Sequence, residues 1–287
     1  MILVTGATGR VGYRLMEALA DARADATAMV RVEAKAADLP GTPRHMVATL
    51  DGPPSAEVLR EFDRIFLLSP EIEEQAALET VFIDAVAAAG HRPHIVKICP
   101  DGFQEPDCDV RFMLAHRQVA LHLDALGLPV TYLAAATYLE NLLDEAEDIR
   151  RTGEIRAAAG DGRAGFIAAT DVAAAAARVL TTDGHENATY VLTGPEALGY
   201  ADVAARFAAV FAWQVEYSDL PQERARELLL ANGLTPWEAD GAIERCDWIR
   251  QGGADTVTGT VRELTGADPQ PLHEWLTESR ATFAGPS

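Results

Sequence analysis

The sequence predicts an α/β fold: a doubly wound parallel sheet followed by a smaller, partly interleaved α/β unit. Three observations carry this. A glycine-rich turn joins the first strand to the first helix, strand and helix then alternate six times, and the rhythm changes near residue 140. Ile2–Val4 is the short apolar run that a buried parallel strand uses. Gly6, Gly9 and Gly12 follow with the spacing G-x-x-G-x-x-G, and Tyr13 to Ala22 reads as a helix with Leu15, Met16 and Leu19 on one face. Gly6 permits a tight turn, Gly9 lets the backbone approach a pyrophosphate, and Gly12 lets helix and strand pack closely. The amides of the helix N-terminus then face the phosphates with the helix dipole behind them. Gly6, Thr8, Gly9, Arg10, Val11 and Gly12 are thus the expected cofactor-binding turn of a Rossmann sheet.

The remaining elements follow in order. Ala26 to Arg31 reads as a second strand, Glu33 to Leu39 as a short helix ended by Pro40-Gly41, and His45 to Leu50 as a third strand. Ser55 to Phe62 is a helix after Pro53-Pro54, and Arg64 to Ser69 a fourth strand stopped by Pro70. Gln75 to Ala89 is a long amphipathic helix with Gly90 beyond its end, and His94 to Cys99 a fifth strand. Val110 to Leu126 is a helix ended by Gly127, and Val130 to Ala134 a sixth strand. Residues 1–140 are therefore expected to form the dinucleotide-binding domain, with residues 141–287 as a substrate-binding cap. In the cap, Asp161-Gly162 signals a turn beside Phe166-Ile167, and Thr170-Asp171 is placed to cap a helix over Val172–Leu180. Thr189–Leu192 and Val215–Tyr217 read as strands, Tyr200–Phe211 as a helix, and the chain from Pro221 onward as mostly helical. The cleft between the halves is the expected ligand site.

Composition narrows the partners. The 287 residues suffice for one large domain or two sharing an interface, and 48% are hydrophobic. A net charge of −20 speaks against nucleic acid and acidic membrane surfaces. No apolar run approaches the roughly 20 residues of a membrane span. Met1 leads straight into a strand, so no signal peptide is expected. Cys99, Cys108 and Cys246 are odd in number and scattered, which fits a reducing cytoplasm and lacks zinc spacing. His91 and His94 flank Pro93 and share no helix face, so no metal is expected. A homodimer is compatible with the sequence.

The stretches VTGATGRVG (4–12), MVR (29–31), IFLLSP (65–70), FIDAVAAAG (82–90), YLENLL (138–143) and PLHEWL (271–276) give the chain a family likeness over nearly its whole length. It resembles the NmrA-like branch of atypical short-chain dehydrogenases/reductases, and within it the bacterial NAD(P)H quinone oxidoreductases and azoreductases. The resemblance implies hydride transfer from a nicotinamide cofactor, with Leu68, Ser69 and Pro70 running past that cofactor and Tyr138 and Asn141 lining the substrate cleft. Two places depart from the family pattern. Ala48-Thr49-Leu50 stands where relatives have Gly-Asp-Leu, leaving Thr49 on the adenine side. Ala134-Ala135-Ala136 replaces Arg-Pro-Asn at the nicotinamide end.

The residues themselves refine this. Arg31 ends the second strand, where an arginine rather than an acid favours a 2′-phosphate, and Arg10 is a second guanidinium nearby, so NADP(H) is the expected cofactor. No tyrosine has a lysine four residues on: Tyr132 is followed by Ala136, Tyr138 by Leu142 and Tyr200 by Ala204. Carbonyl reduction by that pair is not expected. A quinone needs less help, because its reduction makes a stabilised phenolate. His116 is a candidate proton donor, being eleven residues before Gly127 where related aromatic-ether and isoflavone reductases place a lysine; a polar cleft-side residue is the plainer reading. Lys97, near the carboxyl end of the fifth strand, is a candidate for steadying the cofactor or for an ordinary ion pair. Cys99, before Pro100-Asp101-Gly102, is a candidate substrate contact or a buried structural thiol. Three functions compete: an NADPH-dependent oxidoreductase acting on a quinone-like or conjugated aromatic molecule, a non-catalytic NADP(H) sensor, and a pathway enzyme performing an unusual step.

Overall fold

The computed structural model describes residues 1–41 and 43–283; the last four residues of the expected cap lie outside it. The first half runs β1 (Ile2–Val4), α1 (Arg10–Asp21), β2 (Ala26–Val30), a 3₁₀ turn over Glu33–Asp38, β3 (Arg44–Val47), α2 (Ala56–Leu59), β4 (Arg64–Leu67), α3 (Gln75–Ala88), β5 (His94–Pro100), α4 (Arg111–Leu126) and β6 (Val130–Ala135). The second half adds α5 (Asn141–Asp144), α6 (Ala146–Thr152), β7 (Glu154–Ala157), β8 (Arg163–Ala164), α7 (Ala169–Thr181), β9 (Ala188–Leu192), β10 (Leu198–Gly199) and α8 (Tyr200–Phe211). It closes with β11 (Glu216–Asp219), α9 (Gln222–Ala231), α10 (Pro236–Arg250), α11 (Thr260–Thr265), α12 (Leu272–Glu278) and α13 (Arg280–Phe283).

Seven parallel strands form one sheet in the order β3-β2-β1-β4-β5-β6-β9, the doubly wound arrangement expected of the strand–helix alternation. The order reverses direction at β1, where the glycine turn lies. Successive residues point to opposite faces of a strand, so Val4, Phe66, Val96 and Leu133 pack under α1 and α7. Leu3, Ile65, Ile95 and Tyr132 pack under α3 and α4 on the other face. Both faces being covered explains why Ile2–Val4 of β1 and Ile65–Leu67 of β4 read as continuous apolar runs.

The structure moves several boundaries. The seventh strand is the Thr189–Leu192 segment, which joins β6 in parallel and draws the second half into the sheet. The third strand stops at Val47 rather than Leu50, and Thr49 instead accepts a bond from the Gly52 amide at 3.0 Å. The helix expected over 55–62 shrinks to Ala56–Leu59, with Ser55 as its cap. Helix α7 starts at Ala169 and is not capped by Thr170 or Asp171. The Glu140 carboxylate accepts from the Ala169 amide at 3.0 Å, while Asp171 accepts from the Gln270 amide at 2.8 Å. A long-range carboxylate has displaced the local cap, an outcome that short-range spacing does not encode. A third core, around Leu139, Phe166, Phe207, Ile249 and Trp275, holds the second half together.

Candidate active site

The carboxyl ends of β1 to β6 open into a cavity of about 660 Å³. The glycine turn forms one wall. Gly6 sits at φ +61°, and a Cβ there would meet the Leu68 carbonyl at 2.8 Å, so this turn requires glycine. Thr5 clasps the same Leu68: its Oγ1 accepts from the Leu68 amide and donates to the Leu68 carbonyl, each at 2.9 Å. Helix α1 begins after Gly9 with no side chain capping its first amides. Those amides are free for an anion, and the helix dipole favours one. Gly6, Thr8, Gly9, Arg10 and Val11 line the cavity, as do Arg31, Thr49, Leu68, Ser69 and Pro70. Gly12 does not line it. A Cβ on Gly12 would lie 2.1 Å from the Gly6 carbonyl, so that glycine serves the packing of helix on turn.

Beneath the other end of the cavity lies a buried polar chain. The Ser69 hydroxyl donates to Glu79 Oε1 at 2.6 Å, and Lys97 Nζ donates to the same oxygen at 3.0 Å. Lys97 also donates to the Ile98 carbonyl at 2.6 Å and to His116 Nδ1 at 3.1 Å. All three ammonium protons are thus committed, Lys97 is fully buried, and it does not reach the cavity. The cofactor-contact reading of Lys97 is therefore corrected to an internal ion pair.

His116 does line the cavity, but not as a cationic proton donor. Burial, then the charges of Lys97 and Arg245, hold its pKa well below the ordinary histidine range. With Nδ1 accepting from Lys97, the ring proton sits on Nε2, 2.8 Å from the Gln75 amide. That amide satisfies it when its oxygen faces the ring, and the Gln75 oxygen has no other partner.

Cys99 lines this same cavity rather than a substrate chamber, and burial pushes its thiol up to about 12. A thiol this buried is a poor nucleophile. Tyr138 also faces the cavity; its hydroxyl is buried without a hydrogen-bond partner, and burial raises its pKa.

A second cavity of about 690 Å³ lies between α5, α6, β7, α9 and α10. Glu71, Asn141 and Arg245 line both cavities and mark where they join. The family likeness places Asn141 at the substrate cleft; Arg245 and Glu71 carry no such signal. Arg245 lies on α10, more than a hundred residues beyond the Thr137 and Asp101 it returns to, and no motif marks it. It donates to Thr137 Oγ1 at 3.2 Å and lies 3.8 Å from Asp101, whose carboxyl burial pushes up to about 6. Glu145, in the second chamber, is pushed up to about 7 by burial and by Asp144, against the opposing charge of Arg156. Among the described residues no group of three or more metal-binding side chains occurs, and no helix is long and apolar enough to cross a membrane.

This fold and glycine cleft are matched by known proteins. The sequence model described as the NmrA-like family matches residues 1–247. The chain belongs to the NmrA-like family. Within the curated proteins, a (4-alkanoyl-5-oxo-2,5-dihydrofuran-3-yl)methyl phosphate reductase of Streptomyces griseus is 33% identical over 294 residues, 99% of each chain. An NAD(P)H azoreductase of Xenophilus azovorans is 30% identical over the same length, again 99% of each. Among solved structures, an NADPH-dependent quinone oxidoreductase of Escherichia coli complexed with NADPH superposes with a TM-score of 0.87 at 27% identity. That match covers 97% of this chain and 99% of the other.

Proposed function

We propose that this NmrA-like protein is an NADPH-dependent oxidoreductase that reduces a quinone-like or conjugated aromatic small molecule. One observation carries the reading: a glycine-turn cleft with uncapped helix amides adjoins a second cavity of about 690 Å³, with Glu71, Asn141 and Arg245 lining both. The uncapped amides of Arg10 and Val11 suit a pyrophosphate, and Gly9, whose own amide donates to the Gly6 carbonyl, adds no side chain at that turn. Arg31, at the end of β2, and Arg10 on α1 both line the cavity; Arg10 is paired with Asp144, and Arg31 is the guanidinium that suits a 2′-phosphate. The acid that would select NAD is absent there. A bound NADPH supplies the hydride. The chain's own part is to hold donor and acceptor together and to keep water out, with Cys99, Ala135 and Ala136 forming an apolar wall beside Tyr138. The buried Ser69–Glu79–Lys97–His116 chain stiffens that wall from below. The names of the relatives, azoreductase and quinone oxidoreductase, support an acceptor of this class.

The test is a titration with NADPH and NADH, following energy transfer from tryptophan to the reduced nicotinamide, followed by NADPH oxidation with menadione. Tight NADPH binding, weaker NADH binding and turnover with menadione are expected. No binding of either cofactor overturns the reading; binding without any turnover leaves a dinucleotide sensor.

A further inference from the structure

Where the two cavities meet stands a cation that the chain leaves short of partners. Glu71, Asn141 and Arg245 line both cavities, and Arg245 is the only cation of the three. It reaches the junction from α10, while the end of β6 offers the cleft only Ala135 and Ala136. Other cations nearby are committed: Lys97 to Glu79, the Ile98 carbonyl and His116, Arg10 to Asp144, and Arg156 to Asp148. A guanidinium carries five N–H donors. Among the described residues Arg245 uses one of them, toward Thr137 Oγ1 at 3.2 Å. Its carboxylate neighbour Asp101 stays 3.8 Å away, beyond hydrogen-bond distance, and Asp101 Oδ1 is buried with no partner. The two side chains are only 17% and 11% exposed, so water does little to complete either. An oxygen ligand at the junction would satisfy the open donors.

The charge of Arg245 acts in both cavities. Burial raises the pKa of Tyr138 on the cofactor side and of Tyr200 and Cys246 on the other. In each case Arg245 works in the opposite sense, favouring an anion. Quinone reduction creates such an anion. A hydride brings one hydrogen and two electrons, the ring is reduced, and the negative charge settles on a ring oxygen as a phenolate. One proton from solvent then completes the hydroquinone, and the oxidised nicotinamide keeps the positive charge. The other polar groups of the cleft have little to give that oxygen, since His116 has both ring nitrogens engaged and Lys97 has all its protons committed.

We infer that Arg245 is a catalytic residue of the reduction, whose open guanidinium donors hold the acceptor oxygen at the junction and stabilise the phenolate that forms there. This rests on the reductase reading and gives it an electrostatic group. Asp101 is a positioning residue: it keeps the guanidinium at the junction and offsets part of its charge.

The test uses the full chain at pH 8 in excess NADP+, with two naphthoquinones as probes. Lawsone, a hydroxynaphthoquinone ionised at this pH, stands in for the phenolate, and menadione is its neutral counterpart. Binding is followed by quenching of tryptophan fluorescence. Arg245→Met is expected to weaken lawsone binding by about tenfold or more and menadione binding by less than about twofold. Asp101→Asn is expected to tighten lawsone binding by about two- to fivefold, because it removes the opposing charge. Damage to the fold does not move two variants in opposite directions. Arg245→Lys keeps the charge without the planar fork and is expected to fall between wild type and Arg245→Met. If Arg245→Met does not fold, Arg245→Lys and Asp101→Asn decide the question. In turnover with menadione, Arg245→Met is expected to lower kcat by about 100-fold with little change in KM or NADPH binding, and added guanidinium to restore part of the rate. Equal losses for lawsone and menadione, a loss of NADPH affinity, or no tightening in Asp101→Asn overturns the assignment while the reductase reading stands. If the wild-type chain reduces no quinone, the reductase reading falls, and lawsone binding alone decides whether Arg245 holds an oxyanion.

Discussion

The cofactor cleft and the second chamber differ in how they are made. The cleft is built from the ends of adjacent parallel strands, and its walls are backbone: a glycine turn, uncapped amides and carbonyls clasped by Thr5. The second chamber is built from side chains of helices and one short strand, brought together from distant parts of the sequence. A backbone site tolerates little substitution but states its chemistry locally. A side-chain site can be re-charged one residue at a time, which is how a shared cofactor cleft comes to serve different acceptors.

The comparison breaks most severely at the buried pair under the cleft. Lys97→Met leaves the Glu79 carboxylate buried and unpaired, and is expected to destabilise the fold by about 3–5 kcal/mol in urea unfolding. Combining Lys97→Met with Glu79→Leu is expected to recover much of that loss, since the double variant removes both charges. Recovery marks the pair as structural; its failure assigns the pair a further role.

Next in size is the selectivity of the cleft. Arg31→Ala is expected to weaken NADPH binding by roughly 10- to 100-fold, the worth of one charge-assisted hydrogen-bonding group, while changing NADH binding little. Equal loss for both cofactors places Arg31 away from the 2′-phosphate.

The second chamber is sharpened by pH. Glu145, faced by Asp144, Arg156, Tyr200 and Cys246, titrates at about 7 in the folded chain and lower when unfolded. Its neutral form is favoured by folding, so its contribution is present at acid pH and lost as pH rises through 7. The Tm is therefore expected to fall between about pH 4.5 and 7 and to level off above that, and to fall less steeply in Glu145→Gln. Parallel curves for the two proteins remove Glu145 from the account.

The smallest effect belongs to Cys99. With its thiol near 12, only about one molecule in ten thousand is thiolate at pH 8, so native protein is expected to resist iodoacetamide at this position. Rapid labelling of Cys99 shows the wall of the cleft to be open.

Much of the cleft was legible because its signals are local. G-x-x-G-x-x-G between an apolar run and an amphipathic helix requires only neighbouring residues, Arg31 follows from its place at a strand end, and Thr49 and Leu68–Pro70 follow from the family likeness. Gly12 was legible as a packing glycine but does not line the cavity. Lys97 and His116 were legible as polar residues near the right strand end, yet their partners Glu79 and Gln75 lie on α3, which sequence spacing does not relate to β5 or α4. Arg245 and the acids of the second chamber gave no signal, because charges on solvent-facing helices look alike until a fold encloses them.

By itself the sequence determined the doubly wound sheet, the glycine turn after β1 and the arginine that follows β2, since strand periodicity and glycine sterics act over a few residues. Tertiary structure decided which charges are consumed and which face a ligand. Lys97 was removed from the cleft, His116 was held neutral, and Glu71, Glu145 and Glu154 were gathered from distant segments around the second cavity. Such outcomes depend on desolvation and on partners a hundred residues apart, and only the packed chain sets both.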